Sequence, residues 1–586
     1  MHDLEEDINS SAMVTTAVKS KPEVATSPDT KEASSKQRKP VFSSAFRLNI
    51  KNFLPGGGDI SLRRFSITEA ALLLVLALCA SRGLGVIRQI IFNALFGTGP
   101  DANAYYAAAR LPEVLFDLIA GGALTHALIP VFLSYEKEHG QKEAWRLASL
   151  VFNVLLVALT LLVILAEFAA PTFVSRLLVP GYPLYEQTMT TALTRIMLIQ
   201  PLILGLGTVL TATLNSKRQF LLPALSVALY NVGLIGGLLF SLAIPKLGIY
   251  GPTYGVLAAA TCQVLIMVPG LIRQGVRYTF IWNLKHPGLR EVIRLLGPNT
   301  LAVAIASIGF IIDTAFISYL PDKASLAAAR NAHLLFAFPL ALVTQALGPA
   351  SLPIMAALAT SERFVRLRAT IVKLLSGALI LSILASILLY LFGKPLIHLL
   401  YQHGAFNKHS SSVTGTALMG YAFALPGLAL VELLSLSFYA LKDAKTPLFT
   451  DVIALVVRWS LIVLLLHLLT GSHAILAIPL SSVGSGTLET LLLGLLLFVR
   501  LRTKEKLDKG MQRLLRRRSA ATIAYDTTTI RAEQSGADLE AETARLLESV
   551  NPDLEAETAP RLKSVSKKLA NLEERQEPPL KRRGLV

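Results

Sequence analysis

"SRGLGVIRQ" (residues 81–89) interrupts an apolar run that extends from Ile67 to Phe96. The run has the length of a membrane-crossing helix, yet it holds Arg82 and Arg88 in its interior. An arginine at the centre of such a helix costs at least ~2.5–3.5 kcal/mol on insertion scales. A water-filled cavity, a counter-charge or an anionic ligand has to offset that cost. At helical spacing Ser81, Gly85 and Arg88 share a face, and Arg82 lines up with Gln89. No acidic residue lies within one turn of either arginine, so the pattern points to a cavity that admits an anion. Guanidinium suits phosphate there, because its planar donors meet two oxygens at once.

The rest of the chain has the same character. Of its 586 residues, 53% are hydrophobic and 16% charged, against roughly 25% charge in a soluble domain. The apolar residues form blocks of about 20 or more, enough to cross a bilayer. The expected fold is an all-α polytopic membrane protein. About twelve segments qualify by length and hydropathy, near 67–96, 102–134, 143–169, 187–214, 221–244, 250–272, 290–319, 325–358, 368–392, 411–440, 447–469 and 472–500. The connectors after even-numbered segments are rich in Lys and Arg, among them Lys137, Lys142, Lys217, Arg218, Arg363, Arg366, Lys442 and Lys445. Those after odd-numbered segments hold far fewer, which places both termini in the cytoplasm by the positive-inside rule. Membrane orientation thus accounts for the net charge of +17, and nucleic acid is not implied. Cys79 and Cys262 both fall in apolar segments and are expected as buried thiols rather than a disulfide or metal pair.

An internal repeat of about 220 residues is visible. "AAAR" at 107–110 recurs at 327–330, each time opening a long apolar segment that ends in "LIPVF" (128–132) or "SLPIM" (351–355). "LNSKRQFLLP" (214–223) parallels "LKDAKTPLF" (441–449). Six spans per copy give both copies one orientation, hence two six-helix lobes related by a pseudo-twofold along the membrane normal. Transporters place substrate between such lobes, around a central cavity.

Further ionisable residues lie at membrane depth: Arg110, Glu113, Asp117, His126, Arg195, Asp313, Arg330, His333, Glu432, Arg458 and Glu489. Such residues mark transport routes by default. Each also has a structural reading. Arg110 and Glu113 can form a local i,i+3 pair, and Arg458 can pair with Asp451 or with a neighbouring helix. The two histidines can be packing residues, and Asp313 and Glu432 can hold helix contacts or bind a coupling ion. The chain has no Walker loop, metal-spaced His/Cys cluster or nucleophile elbow, so a transporter without cofactor or metal is expected rather than an enzyme.

With these residues in view, "SRGLGVIRQIIFNALFGTGPDANAYYAAARLPEVLFDLIAGGALTHALIP" (81–130) resembles the amino-terminal motif of the MurJ/MviN family, lipid II flippases of the multidrug/oligosaccharidyl-lipid/polysaccharide exporter superfamily. "TLNSKRQFLLPALSVALYN" (213–231), "FPLALVTQALGPASLPIMAAL" (338–358), "YQHGAFN" (401–407) and "FYALKDAKTPL" (438–448) are similar to the same family in the same order. The resemblance implies alternating-access translocation of an undecaprenyl-pyrophosphate-linked peptidoglycan precursor. Ser81, Arg82 and Arg88 match family positions implicated in function, with the arginines facing the diphosphate. There are departures: Asn103 stands for an acid, Phe116 and Asp117 for two arginines, Gly121 for a glutamate, and Leu334 and Ala337 for an arginine and a glutamate. The resemblance also ends after about twelve spans, where the family carries two more that form a lipid-tail groove.

The expected organisation is a disordered cytoplasmic tail (1–60), an N-lobe (61–275), a C-lobe (276–503) and a charged cytoplasmic tail (504–586). That last tail repeats "DLEAETARLLESV" (538–550) as "DLEAETAPRLKSV" (553–565). No cleavable signal peptide is visible in "MHDLEEDINSS". The leading expectation is a bacterial inner-membrane flippase. It would take a lipid II-like polyprenyl-pyrophosphate saccharide at Ser81, Arg82, Arg88 and Arg110, with Asp117, Asp313, Arg330 and Glu432 as further cavity or coupling charges. Membrane lipids and cell-wall synthesis proteins are the other partners to consider. Two alternatives stay open: an ion-coupled exporter of another lipid-linked glycan or amphiphile, with Asp313 or Glu432 as coupling acid, and a non-transporting paralogue that scaffolds envelope synthesis through its tails.

Overall fold

The computed structural model describes residues 67–119 and 122–504, which are helical apart from short connectors. In chain order the helices are α1 (Ile67–Phe96), α2 (Pro100–Ala108), α3 (Arg110–Ile119), α4 (Gly122–His139), α5 (Gln141–Phe173), α6 (Leu184–Met197), α7 (Ile199–Ser216) and α8 (Leu221–Ala243). They continue with α9 (Tyr250–Leu265), α10 (Val268–Arg273), α11 (Pro287–Ser318), α12 (Ser325–Thr360), α13 (Phe364–Tyr401), α14 (Lys408–Ala440) and α15 (Lys445–Leu468), and α16 covers 477–504. Among the described residues nine helical runs are long and apolar enough to cross a membrane. With α1, the α2–α4 run and α11, the helices make twelve crossings that alternate between a basic-loop end and an opposite end. The expected tails, the 538–565 duplication and Gly121 lie outside the described residues.

Proline decides where crossings break. A proline cannot donate to the carbonyl four residues before it. Helices α2, α6 and α9 end at Ala108, Met197 and Leu265, each four residues before Pro112, Pro201 and Pro269. The second expected span is therefore three helices rather than one. Its repeat counterpart α12 runs unbroken because Ala332 stands where Pro112 does in the first copy.

The basic turns preserve the repeat at backbone level. Arg218 and Lys442 both sit at φ 59°. In each turn the following amide bonds a carbonyl five residues back, Gln219 to Leu214 and Asp443 to Phe438, each at 2.9–3.0 Å. This is a Schellman-type helix end with a non-glycine residue in the left-handed position.

Lipid offers apolar helices no hydrophobic drive to associate, so close backbone packing has to do it. Helices α8 and α9 meet through small residues. A side chain on Gly237 would stand 2.5 Å from the Cα of Gly255. Conversely, α13 exposes Ile380, Leu384, Leu391 and Phe392, as a lipid-facing helix should. The same solvent corrects the expectation for the cysteines: Cys79 is exposed and Cys262 half-buried, and both are free. An apolar side chain here is satisfied by lipid without being covered by protein.

The two lobes meet at the end opposite the basic loops. Ala107 packs in the core of the second lobe, with Phe336 and Tyr421. Its repeat equivalent Ala327 packs in the core of the first, with Phe92 and Met197. Asn103 donates to the carbonyl of Lys323 and accepts from the Ala327 amide at 2.8 Å. Residues that touch their own repeat mates lie on a twofold axis, so the pseudo-axis passes between α2 and the start of α12. A buried amide cluster completes the seal. Gln89 donates to Asn331 at 2.8 Å and to the Tyr106 hydroxyl at 2.6 Å, and Asn93 and Asn331 exchange hydrogen bonds at 3.1 Å. Gly97, at φ 59°, lies against the Ala405 carbonyl, which a Cβ would approach to 2.5 Å.

Towards the basic-loop end the cores separate. One joins α13, α14 and α16 through Leu367, Phe438 and Leu497. Another joins α4, α5 and α7 to the start of α11 through Leu128, Leu150 and Val209 with Leu289 and Val292. Helix α11 thus begins on the first lobe and ends in the core of the second, through Ile317. The Thr98 hydroxyl donates to that of Ser410 at 2.7 Å across the sealed end. In a chain with Cys79 and Cys262 replaced by serine, Thr98→Cys with Ser410→Cys should close a disulfide under mild oxidant and lose maleimide labelling. Continued labelling of both thiols would show that this end is open in most molecules.

Candidate functional site

Two cavities adjoin beneath the seal. The smaller, about 110 Å³, is lined by Arg88, Tyr105, Glu113, Gln200, Tyr230 and Arg330 among others. The larger, about 380 Å³, is lined by Arg110, Asp313, Arg330, Asp451, Arg458 and Glu489 with His333 and Tyr421. Arg330 contributes to both.

The hub between them is Glu113 on α3. One carboxylate oxygen accepts from Arg110 at 3.2 Å and the other from Arg330 at 3.2 Å. The first is the i,i+3 pair that sequence spacing allowed. The second crosses the lobe interface. The two arginines end the two "AAAR" copies, so the pseudo-twofold brings equivalent guanidiniums to one carboxylate. Arg110 also lies 5.4 Å from the centre of the Phe310 ring, a cation–π distance.

The residues expected to form the site divide. Arg88 lines the smaller cavity, half-buried, with no hydrogen-bond or ion-pair partner among the described residues. Glu113 shares that cavity but is held by the other two arginines. Arg82, nearer the basic-loop end of α1, is exposed and equally without a partner. Ser81 is taken up in packing, its hydroxyl accepting from Asn231 on α8 at 3.1 Å. Asp117, one turn beyond Glu113, and Glu432 on α14 are both exposed. Asp313 is buried and paired with Arg458 at 2.6 Å, so Arg458 reaches a neighbouring helix rather than Asp451 on its own. His126 is exposed, whereas His333 sits among Phe310, Phe336 and Tyr421.

Reading the chain missed the amide seal, because Gln89, Asn93 and Asn331 are neutral and carry no charge signal. It also passed over Glu113 as a hub. The recurrence of "AAAR" was the signal that could have found it.

The buried pair offers a direct test. Removing one partner of a buried ion pair typically costs about 3–5 kcal/mol, while an apolar replacement of both can be neutral. Asp313→Leu should lower the melting temperature in detergent markedly, and Asp313→Leu with Arg458→Met should recover most of the loss. Equal melting for wild type and Asp313→Leu would remove the pair from the stability of the second lobe.

The chain matches the family model "Lipid II flippase MurJ" over residues 92–529, beginning just after Arg88. It is 27% identical over 406 residues to a probable lipid II flippase MurJ of Rhizobium tropici, covering 68% of this chain and 76% of that one. It is 29% identical over 373 residues to a lipid II flippase MurJ of Burkholderia cenocepacia, covering 63% and 72%. Among solved structures it is similar to a lipid II flippase MurJ in an inward closed conformation, with TM-score 0.62 and 23% identity over 72% of this chain and 86% of that one. It is also similar to an inward-facing multidrug MATE transporter, with TM-score 0.64 and 13% identity over 74% and 99%.

Proposed function

The chain belongs to the lipid II flippase MurJ family, and we propose that it moves lipid II from the inner to the outer leaflet of the bacterial cytoplasmic membrane. The basic connectors and both termini then face the cytoplasm, and the sealed end faces outward. The observation that carries this reading is Arg88, a guanidinium with no partner among the described residues in a cavity at the lobe interface. Arg110 and Arg330 share one carboxylate, Glu113, and Arg88 lines the same cavity as that carboxylate. Two positive charges are left for a diphosphate.

The same geometry ties binding to movement. Glu113 links α3 to α12 across the interface through Arg330. Diphosphate oxygens compete for the N–H groups that Glu113 now occupies, because charge-assisted bidentate contacts favour phosphate as well as carboxylate. Loading therefore loosens one tie between the lobes. The outer seal is made of neutral hydrogen bonds, each worth about 0.5–1.5 kcal/mol net, so it can open within the energy that binding supplies. Alternating access follows from rocking the lobes about the α2–α12 contact.

Complementation of a bacterium depleted of its own lipid II flippase, with a leaflet-accessibility assay for the precursor, tests this. Arg88→Ala should cut translocation at least about tenfold, as loss of a charge-assisted contact implies, at unchanged abundance. Arg88→Lys should retain part of it. Full translocation by Arg88→Ala would exclude the proposed binding role.

A further inference from the structure

The smaller cavity holds hydroxyl donors that the charge balance of its arginines leaves unused. Tyr105 on α2 and Tyr230 on α8 both line it beside Arg88. The Tyr105 hydroxyl has no hydrogen-bond partner among the described residues. The Tyr230 oxygen accepts from the Gln200 amide at 2.9 Å, so its own hydrogen is still to be given. Glu113, the carboxylate of this lining, is held by Arg110 and Arg330. The cavity therefore offers more donors than free acceptors, and a donor left without an acceptor at low dielectric is costly. A ligand built of acceptors answers that imbalance, and an ionised phosphoryl group is such a ligand.

Both rings are held by the protein itself. That of Tyr105 packs against Phe92 at 5.0 Å and against Tyr106 at 5.7 Å between centroids. Tyr230 is followed by Asn231, which donates to the Ser81 hydroxyl at 3.1 Å and so ties α8 to α1, the helix that carries Arg88. Fixing donors in place beforehand lowers the cost of ordering them around a ligand. Arg88, Tyr105, Gln200 and Tyr230 all lie on helices of the first lobe.

We infer that Tyr105 and Tyr230 are positioning residues for a diphosphate and set the preference for it over a monophosphate. Arg88 engages two oxygens of one phosphoryl group. The two phenols donate to the other, and Gln200 holds Tyr230 in the orientation to do so. A lipid monophosphate satisfies the arginine but strands both hydroxyls, which is how a site built to donate rejects a ligand that lacks the acceptor. Because all three donors sit on the first lobe, the diphosphate rides with that lobe. Arg330, reaching in from the second, is then the contact that changes as the lobes rock.

This assignment rests on the lipid-linked diphosphate reading, and the experiment separates the two. Binding of farnesyl diphosphate and of farnesyl monophosphate to the purified full-length protein is measured by titration calorimetry. Wild type should prefer the diphosphate by at least about tenfold, as hydrogen bonds to a charged group imply. Tyr105→Phe and Tyr230→Phe should each weaken the diphosphate about tenfold and leave the monophosphate within about twofold. The double variant should lose the preference. Each single variant tests the inference if the other is not recovered folded, and the monophosphate serves as the check on fold. Equal weakening of both probes by the tyrosine variants would mark the rings as structural and overturn the inference. A double variant that keeps the wild-type preference would overturn it too, with the diphosphate reading left standing if Arg88→Ala weakens both probes. Wild type that binds neither probe, or Arg88→Ala that binds both as tightly as wild type, would sink the diphosphate reading and this inference with it.

Discussion

The structure turns on how carboxylates are distributed around its half-buried arginines. A guanidinium at membrane depth is tolerated only where something neutralises or hydrates it. Arg458 meets this demand with its own partner, Asp313, and Arg110 and Arg330 meet it by sharing Glu113. Arg88 has no such partner among the described residues. The described residues therefore hold an incomplete charge set at the place where the two lobes join, and in the proposed function an anionic ligand completes it.

The repeat explains why the set is assembled there. Duplication places an arginine at the end of each "AAAR" copy, and a pseudo-twofold axis brings equivalent positions together. Ala107 and Ala327 exchange cores, Asn103 reaches the carbonyl of Lys323, and the two arginines converge on one glutamate. Glu113 breaks the symmetry, for in the second copy His333 occupies the equivalent place and supplies no carboxylate. One carboxylate for two guanidiniums is thus a consequence of divergence between copies, and it leaves the interface positively biased.

Much of this was legible from residue order alone. Apolar blocks and basic connectors set the number and alternation of crossings, because lipid leaves few ways to satisfy a backbone. The places where α2, α6 and α9 stop follow from Pro112, Pro201 and Pro269. Yet Pro339, Pro349 and Pro353 all sit inside the unbroken α12, so a proline predicts a lost hydrogen bond and not necessarily a break. Neighbouring helices decide which. Charges at depth pointed to the right region as well. Spacing along one helix could not reveal that Arg330 reaches α3, or that Asp313 and not Asp451 receives Arg458, since those partners are set by packing across helices.

The amide seal shows why a neutral latch suits the opposite end. Gln89, Asn93, Asn331 and Tyr106 satisfy one another without ionic contacts. Were the same contact built from a buried ion pair, opening it would strand two charges and cost several kcal/mol. Exchanging neutral hydrogen bonds with water costs little net, while leaving them unmet in a dry interface is expensive. The seal is consequently strong only when complete, which favours two states, shut or wetted, over a graded leak. The strong charges lie beneath it, where the ligand and not the latch governs their balance, so the barrier to opening and the affinity for the headgroup can be set by different residues.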